Sequence, residues 1–336
     1  MTSLAELLAR AYVAESGAVV LGEGIVADGH MPGALVRIVT HAHVDHLVGM
    51  RESLRETPFI AATPLTLEML PELGYRIPRA KQLPLAHHIE TELMGYRVKL
   101  LPANHIPGAA QVLVEWEDGF RVGYTGDFKQ PGTPVMKDLD VLVIEATYGR
   151  PEHRRPWSME IEYIFADLVR DLLVKGPVYI YAYHGKLQEA MRILREQGID
   201  APFIAPSKVY RIALIVKKHG IDVGEVLLAE SREAKEVMRD GWYIYFTHMM
   251  NRRNGAPPTA QRVILSGWEF SGPYRQAGTR TWIVSLSDHA DFDQLVEYVQ
   301  EAKPKLVVVD AYREGSSEAF ASYIRRHLGI PAVTSP

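Results

Sequence analysis

The stretch Thr40-His41-Ala42-His43-Val44-Asp45-His46, which closes the β-branched run from Leu35, decides the reading of the chain. In an extended segment alternate side chains share a face, so His41 and His43 can address one metal ion. Asp45 and His46 begin a turn into Leu47-Val48 and can address a second ion nearby. Imidazole and carboxylate together suit zinc or a similar borderline metal. The competing reading is a His-rich surface loop.

Two ions need more donors, and the chain offers them in order. His105 stands in Pro102-Ala103-Asn104-His105-Ile106-Pro107-Gly108, where a strand enters a rigid turn. Asp127, in Tyr124-Thr125-Gly126-Asp127-Phe128, follows another strand, and a carboxylate there can bridge two metals. His289 lies in Ser287-Asp288-His289-Ala290-Asp291, between a strand and a helix. Singly, each reads as a loop histidine or a turn or cap aspartate. Together they repeat one feature, a donor at the end of a strand.

Composition narrows the class. The chain has 336 residues, 47% hydrophobic, enough for a large core and for more than one domain. A formal charge of -4 excludes a broadly basic nucleic-acid binder but not a local basic groove. There is no cysteine, so disulfides and thiolate zinc sites are excluded and any metal must rest on His and carboxylates. Residues 1–10 lack a basic region followed by an apolar stretch, and no apolar run reaches a membrane span, so a cytoplasmic protein without a membrane partner is expected.

Residues 1–150 alternate short β-rich runs with turns: Val19–Leu21, Gly24–Ala27, Leu35–Thr40, Tyr96–Leu101, Gln111–Trp116, Phe120–Tyr124 and Val141–Ile144. The basic, Pro-containing connection at 150–156 marks a change. Helical and strand-like runs then alternate, as in a doubly wound unit. A second connection, Asn251–Pro258, is expected to close it. The predicted organisation is one domain at 1–150 and 262–336 interrupted by another at 151–261.

The ordered set His41-x-His43-x-Asp45-His46, His105, Asp127 and His289 resembles the metallo-β-lactamase superfamily. Glu145-Ala146-Thr147-Tyr148-Gly149 resembles the first motif of its β-CASP nuclease branch, in which an inserted domain follows and the last histidine ligand comes after it. Asn104-His105-x-Pro107-Gly108-Ala109, Thr125-Gly126-Asp127-Phe128 and Ser266-Gly267-Trp268 resemble the DNA cross-link repair nucleases. Gly185-Lys186-x-Gln188, with Ser287-Asp288-His289-Ala290-Asp291, resembles ligase-associated DNA exonucleases.

The resemblance implies an α/β fold: an αββα sandwich with an inserted, doubly wound β-CASP domain. It implies two divalent ions, zinc in kind, with manganese or magnesium as assay substitutes. His41, His43 and His105 would hold one ion, Asp45, His46 and His289 the other, and Asp127 would bridge them. Asp28 matches the superfamily's first aspartate, which organises the loop; its other reading is a plain turn residue. Glu145 is expected to orient a ligand from behind.

The implied activity is phosphodiester hydrolysis, with catalysis resting on Asp45, Asp127 and Glu145. A 5′ DNA exonuclease acting on single strands or ends, in DNA repair or processing, is favoured, with a DNA ligase or other repair proteins as partners. The alternative is an RNA 3′-end-processing endonuclease or 5′ exoribonuclease. Two departures favour DNA over RNA. RNA-processing members carry a histidine shortly before the last ligand, and 268–280 has none. Many also carry His-Gly after the final strand, where this chain has Asp310-Ala311-Tyr312.

For substrate, Gly185 and Lys186 could place N–H groups and an ammonium on a phosphate, or form a turn with a solvated lysine. Ser266 and Arg275 are further candidates. Arg150, Arg154, Arg155, Arg252 and Arg253 could line a phosphate cleft or be solvated surface. Tyr148, Trp268 and Tyr274 could stack on bases or pack in the core.

Overall fold

The computed structural model describes residues 3–253, 255–313 and 315–336. The chain forms two compact units, Met1–Arg154 with His289–Pro336, and Arg155–Asp288.

The first unit holds two sheets. One runs in sequence order through β1 (Tyr12–Val13), β2 (Val19–Gly22), β3 (Ile25–Ala27), β4 (Val36–Ile38), β5 (Phe59–Ala62) and β6 (Gln82–Pro84). The other contains β7 (Glu90–Leu93), β8 (Tyr96–Pro102), β9 (Ala110–Glu115), β10 (Arg121–Tyr124) and β11 (Val141–Ile144), continued by β19 (Leu306–Asp310) and β20 (Ala332–Ser335). Alternation along the strands gives apolar packing on both faces of the first sheet. Val19, Leu21, Ile25, Val36 and Ile38 of the first sheet share a core with Val98, Val112, Val122, Val141, Val143 and Val308 of the second. The outer face of the first sheet, through Val39, Ile60 and Ala62, packs with Leu47, Met50, Leu67 and Leu70 from the helical segments around Met50–Glu56 and Pro64–Met69.

Strands β11 and β19 pair in parallel and bury every residue, which is why both read as unbroken apolar runs. This is the expected αββα sandwich.

The second unit is one seven-stranded sheet in the order β14 (Val226–Leu228), β13 (Phe203–Ala205), β15 (Ile244–His248), β12 (Val178–Ala182), β16 (Gln261–Leu265), β18 (Thr281–Val284), β17 (Tyr274–Gly278). All neighbouring strands are parallel except β17 against β18. Helices Ile161–Leu173, Lys186–Glu196, Ser207–Lys218 and Arg232–Asp240 connect or flank the strands. The doubly wound character follows the sequence reading.

The expected boundary at 261 does not hold. β16 pairs with β12 from Val178↔Gln261 onward, and β18 pairs with β16, so 261–284 completes the second sheet. The Pro-containing loop before it turns the chain without leaving the unit. Strand periodicity reports how a strand is buried and not which strand supplies its hydrogen bonds.

Short connections carry the remaining strain. Asp28, just past β3, has φ 54, and a Cβ on the following Gly29 would lie 2.2 Å from the Ala18 backbone nitrogen. No helix among the described residues is long and apolar enough to cross a membrane. Gly29→Ala is expected to cost about 1–3 kcal/mol, because the clash is with backbone that cannot rotate away; urea unfolding of the full chain at neutral pH measures it.

Candidate metal centre

The residues singled out in the first unit converge at the carboxyl ends of its strands. Asp28 follows β3, His41 follows β4, His105 follows β8, Asp127 follows β10 and Glu145 follows β11. His289 precedes the helix Phe292–Ala302, whose start is set by a capping box. Asp291 accepts from the Gln294 N–H at 3.0 Å, and the Gln294 side chain accepts from the Asp291 N–H. Gln294 also bonds both ways with the Gln130 backbone, which ties this helix to the Asp127 loop.

Asp127 is common to three groups of donor atoms, each lying within 4.8 Å of one another: His41, His43 and His105; Asp45 and His46; and Glu145 and His289. Its Oδ2 lies 3.0 Å from His46 Nε2, 3.5 Å from His41 Nε2, 3.8 Å from His105 Nε2 and 3.9 Å from His289 Nδ1. His43 Nδ1 is 3.0 Å from His105 Nε2. Gly126, at φ 54, lets the backbone pass within van der Waals reach of Thr40. All seven residues read from the sequence as donors are therefore together.

Behind the donors stands a set of orienting contacts. The Asp28 carboxylate, wholly buried, accepts from the Thr40 N–H at 2.8 Å, the Thr40 hydroxyl at 2.5 Å, His46 Nδ1 at 2.8 Å and the Tyr124 hydroxyl at 3.0 Å. Because the Thr40 hydroxyl donates to Asp28, it can accept from His41 Nδ1, 3.0 Å away. Both rings thus turn Nε2 toward Asp127. Glu145 repeats the pattern, accepting from His289 Nδ1 at 3.0 Å and from the Phe128 N–H at 2.9 Å. Asp28 thus contacts Thr40, His46 and Tyr124, and Glu145 stands behind His289.

The electrostatics fit a cation. Burial drives His41 well below the usual histidine range, with His46 and His105 adding to the effect, so its ring is neutral. Burial opposes charge on His46 too, but Asp127, Asp28 and Asp45 outweigh it and push the ring up to about 10. Among protein groups alone His46 carries a proton that a bound cation would replace. Burial likewise works against the Asp127 and Asp28 charges. His46 and His289 overcome it at Asp127, and His46 and Arg313 at Asp28, so both stay ionised. His41 Nε2 is buried without a hydrogen-bond partner among the described residues. Buried polar atoms are rarely left so, and two imidazole nitrogens facing one carboxylate suit a divalent ion.

Sequence reasoning missed four supports. Arg37, fully buried, donates to Ser53 and to the His46 carbonyl at 3.1 Å. Arg313 pairs with Asp310 and donates to the Asp28 carbonyl at 3.1 Å. Thr40 and Tyr124 complete the Asp28 shell. Thr40 and Tyr124 adjoin donor motifs and could have been flagged. Nothing local marks Arg37 or Arg313.

Several expected substrate residues are placed differently. Lys186 is buried, and its ammonium bonds Asp288 at 2.9 Å, so it offers no open charge to a phosphate. The Gly185 N–H is committed to Gln188 Oε1. Tyr148 is buried against His153 and His289 and presents no stacking face. A strand-to-helix junction looks alike in sequence whether its lysine turns outward or inward. Arg150 is exposed and bonds Ser316, and Arg154 pairs with Asp293. Arg155 is buried, over the Phe270 ring. Ser266 accepts from the Trp268 N–H, and half-exposed Arg275 pairs with Glu269. Arg252 and Arg253 are exposed.

The beta-lactamase superfamily domain model matches residues 29–203, just over half of the chain. The chain belongs to the metallo-β-lactamase superfamily. Within the superfamily it falls in the β-CASP branch, to which its relatives and its inserted parallel-sheet unit assign it. It is 45% identical over 139 residues to an uncharacterized protein in a lig 3′ region from Acidianus ambivalens, covering 41% of this chain and 99% of that one. It is 30% identical to the DNA cross-link repair protein SNM1 of Arabidopsis thaliana over 89% of this chain and 66% of that protein. It is 23% identical to the probable RNase MJ4 of Methanocaldococcus jannaschii over 75% of this chain and 70% of that protein.

In this superfamily member, Asp28→Asn is expected to lower metal affinity about 10- to 100-fold, since it weakens the hold on both His41 and His46. Competition with a chromophoric chelator measures it, and unchanged circular dichroism would separate lost orientation from lost fold.

Proposed function

We propose that the chain is a nuclease that hydrolyses phosphodiester bonds with two divalent ions, zinc in kind, and that its substrate is DNA. The observation that carries this reading is the convergence of His41, His43, Asp45, His46, His105 and His289 on Asp127. An imidazole and carboxylate donor set without thiolates matches zinc, with manganese as a substitute. His41, His43 and His105 would hold one ion, Asp45, His46 and His289 the other, and Asp127 would serve both. When bound, such a pair supplies an acidified water and positive charge beside the phosphoryl group.

The chain's own residues do the positioning. Asp28, Thr40 and Glu145 hold ring orientations that a mobile imidazole would lose. Half-exposed Asp45, at the open side of the group, is the donor best placed to meet substrate as well.

The similarity to SNM1 supports DNA, as does the stretch 268–280, which lacks the histidine of RNA-processing members and instead folds around buried Glu269. The resemblance to ligase-associated exonucleases supports 5′ exonuclease action on single strands or ends, and the relative in a lig 3′ region supports a place beside a DNA ligase or other repair proteins. The second reading, an RNA-processing nuclease, has the probable RNase MJ4 in its favour.

Digestion of end-labelled single- and double-stranded DNA and matched RNA, with metal content measured on the same sample, tests the proposal. The expected result is metal-dependent release of nucleotides from DNA, reduced on the order of a hundredfold or more in Asp127→Asn. Intact DNA with fully loaded enzyme would sink it, and preferential cutting of RNA would select the second reading.

A further inference from the structure

The central strands of the second unit, β15, β12 and β16, are adjacent and parallel, with Ala182 opposite His248 and Tyr181 opposite Ile264. Their carboxyl ends therefore lie side by side, about 4.8 Å apart. Each releases the chain into an exposed apolar side chain. Tyr183, directly after β12, is 56% exposed; Met250, two residues after β15, is 80% exposed; Trp268, three residues after β16, is 50% exposed. Single exposed apolar residues are common, but three on neighbouring strand ends form a row.

The two aromatic groups are held as well as exposed. The His248 ring meets Tyr183 edge-on, with centroids 5.4 Å apart, and His248 itself lies 4.7 Å from His184. Trp268 is carried by a loop folded around Glu269, a buried carboxylate that accepts from the Ser271 N–H, the Ser271 hydroxyl and Arg275 Nε. The Arg155 guanidinium braces the same loop by donating to the Gly267 carbonyl. A surface ordered beforehand loses less entropy on binding. Positive charge flanks the row: Lys208 after β13, the strand beyond β15, and Arg252 after Met250 are both exposed.

We infer that this carboxyl edge is a track for single-stranded DNA, with Tyr183 and Trp268 as faces on which bases stack and Lys208 and Arg252 beside the phosphates. Parallel sheets bind ligands beyond the carboxyl ends of their strands. Aromatic faces joined to basic groups match a strand whose bases are unpaired, because every base has a π-face and stacking reads no sequence. Paired bases present no such face. The inference rests on the nuclease reading and adds to it how the second unit grips the strand.

The test uses the full chain with Tyr183→Ala, Trp268→Ala and Tyr183→Phe. Binding of fluorescein-labelled oligo-dT is measured by anisotropy in an Asp127→Asn background, so that the strand stays intact. Hydrolysis of bis(p-nitrophenyl) phosphate is measured without that background. Each alanine variant is expected to bind oligo-dT about five- to twentyfold more weakly. Tyr183→Phe should stay within twofold, and ester hydrolysis should be unchanged in all three. Binding by both alanine variants within twofold of the parent overturns the track, as does a parallel loss on the small ester, which marks a structural role. If the parent chain neither binds nor cuts oligo-dT, the reading as a DNA nuclease falls and takes the track with it. If it cuts and the alanine variants cut with unaltered KM, the track alone falls.

Discussion

A carboxylate with no access to water, that of Asp28, organises the first unit. Burying a charge is costly unless every lone pair is engaged, and here Thr40, His46 and Tyr124 supply the donors while Arg313 adds positive charge nearby. Those partners come from the ends of β4 and β10, the turn after β4 and the segment after β19. The carboxylate is satisfied only when three separate stretches of chain, around 40–46, 124 and 313, have reached their native places. The contacts that stabilise Asp28 are the same ones that orient His41 and His46. Folding and preorganisation of the donor cluster are therefore one event, and the αL backbone at Asp28 is the local strain it carries.

The second unit uses its ionic contacts differently. Lys186 and Asp288 are both buried and paired, 102 residues apart in sequence. Removing one partner of such a pair leaves an uncompensated charge, so the pair holds one arrangement of the sheet's ends. Glu269 does similar work for the Trp268 loop. With a net charge of -4, the chain depends on local features for attraction to a polyanion: the proposed ions, and exposed groups such as Lys208, Arg252 and Arg253.

Much of this was legible in the residues. The spacing of His41, His43, Asp45 and His46 is local chemistry, and so is the placing of His105, Asp127 and His289 at strand ends. The apolar runs of β11, β12 and β19 announce strands because burial on both faces leaves no room for alternation. The edge strands β6, β7 and β17, partly or wholly exposed, carry no such signature, and the sequence reading passed over them.

What the sequence by itself determined is the chemistry of the donor set, written in its spacing, and the doubly wound character of the second unit, written in its alternating helical and strand-like runs; the αββα sandwich followed from the resemblance those donor motifs carry. Only the tertiary structure decided where the inserted unit ends, because β16 and β18 find their hydrogen bonds in β12's sheet, and pairing partners are not encoded in a strand's own pattern. It also decided that Lys186 and Tyr148 turn inward and that Arg37 and Arg313 reach the back of the site. The direction of a long side chain depends on neighbours brought from elsewhere in the chain, and those neighbours exist only once the sheets have packed.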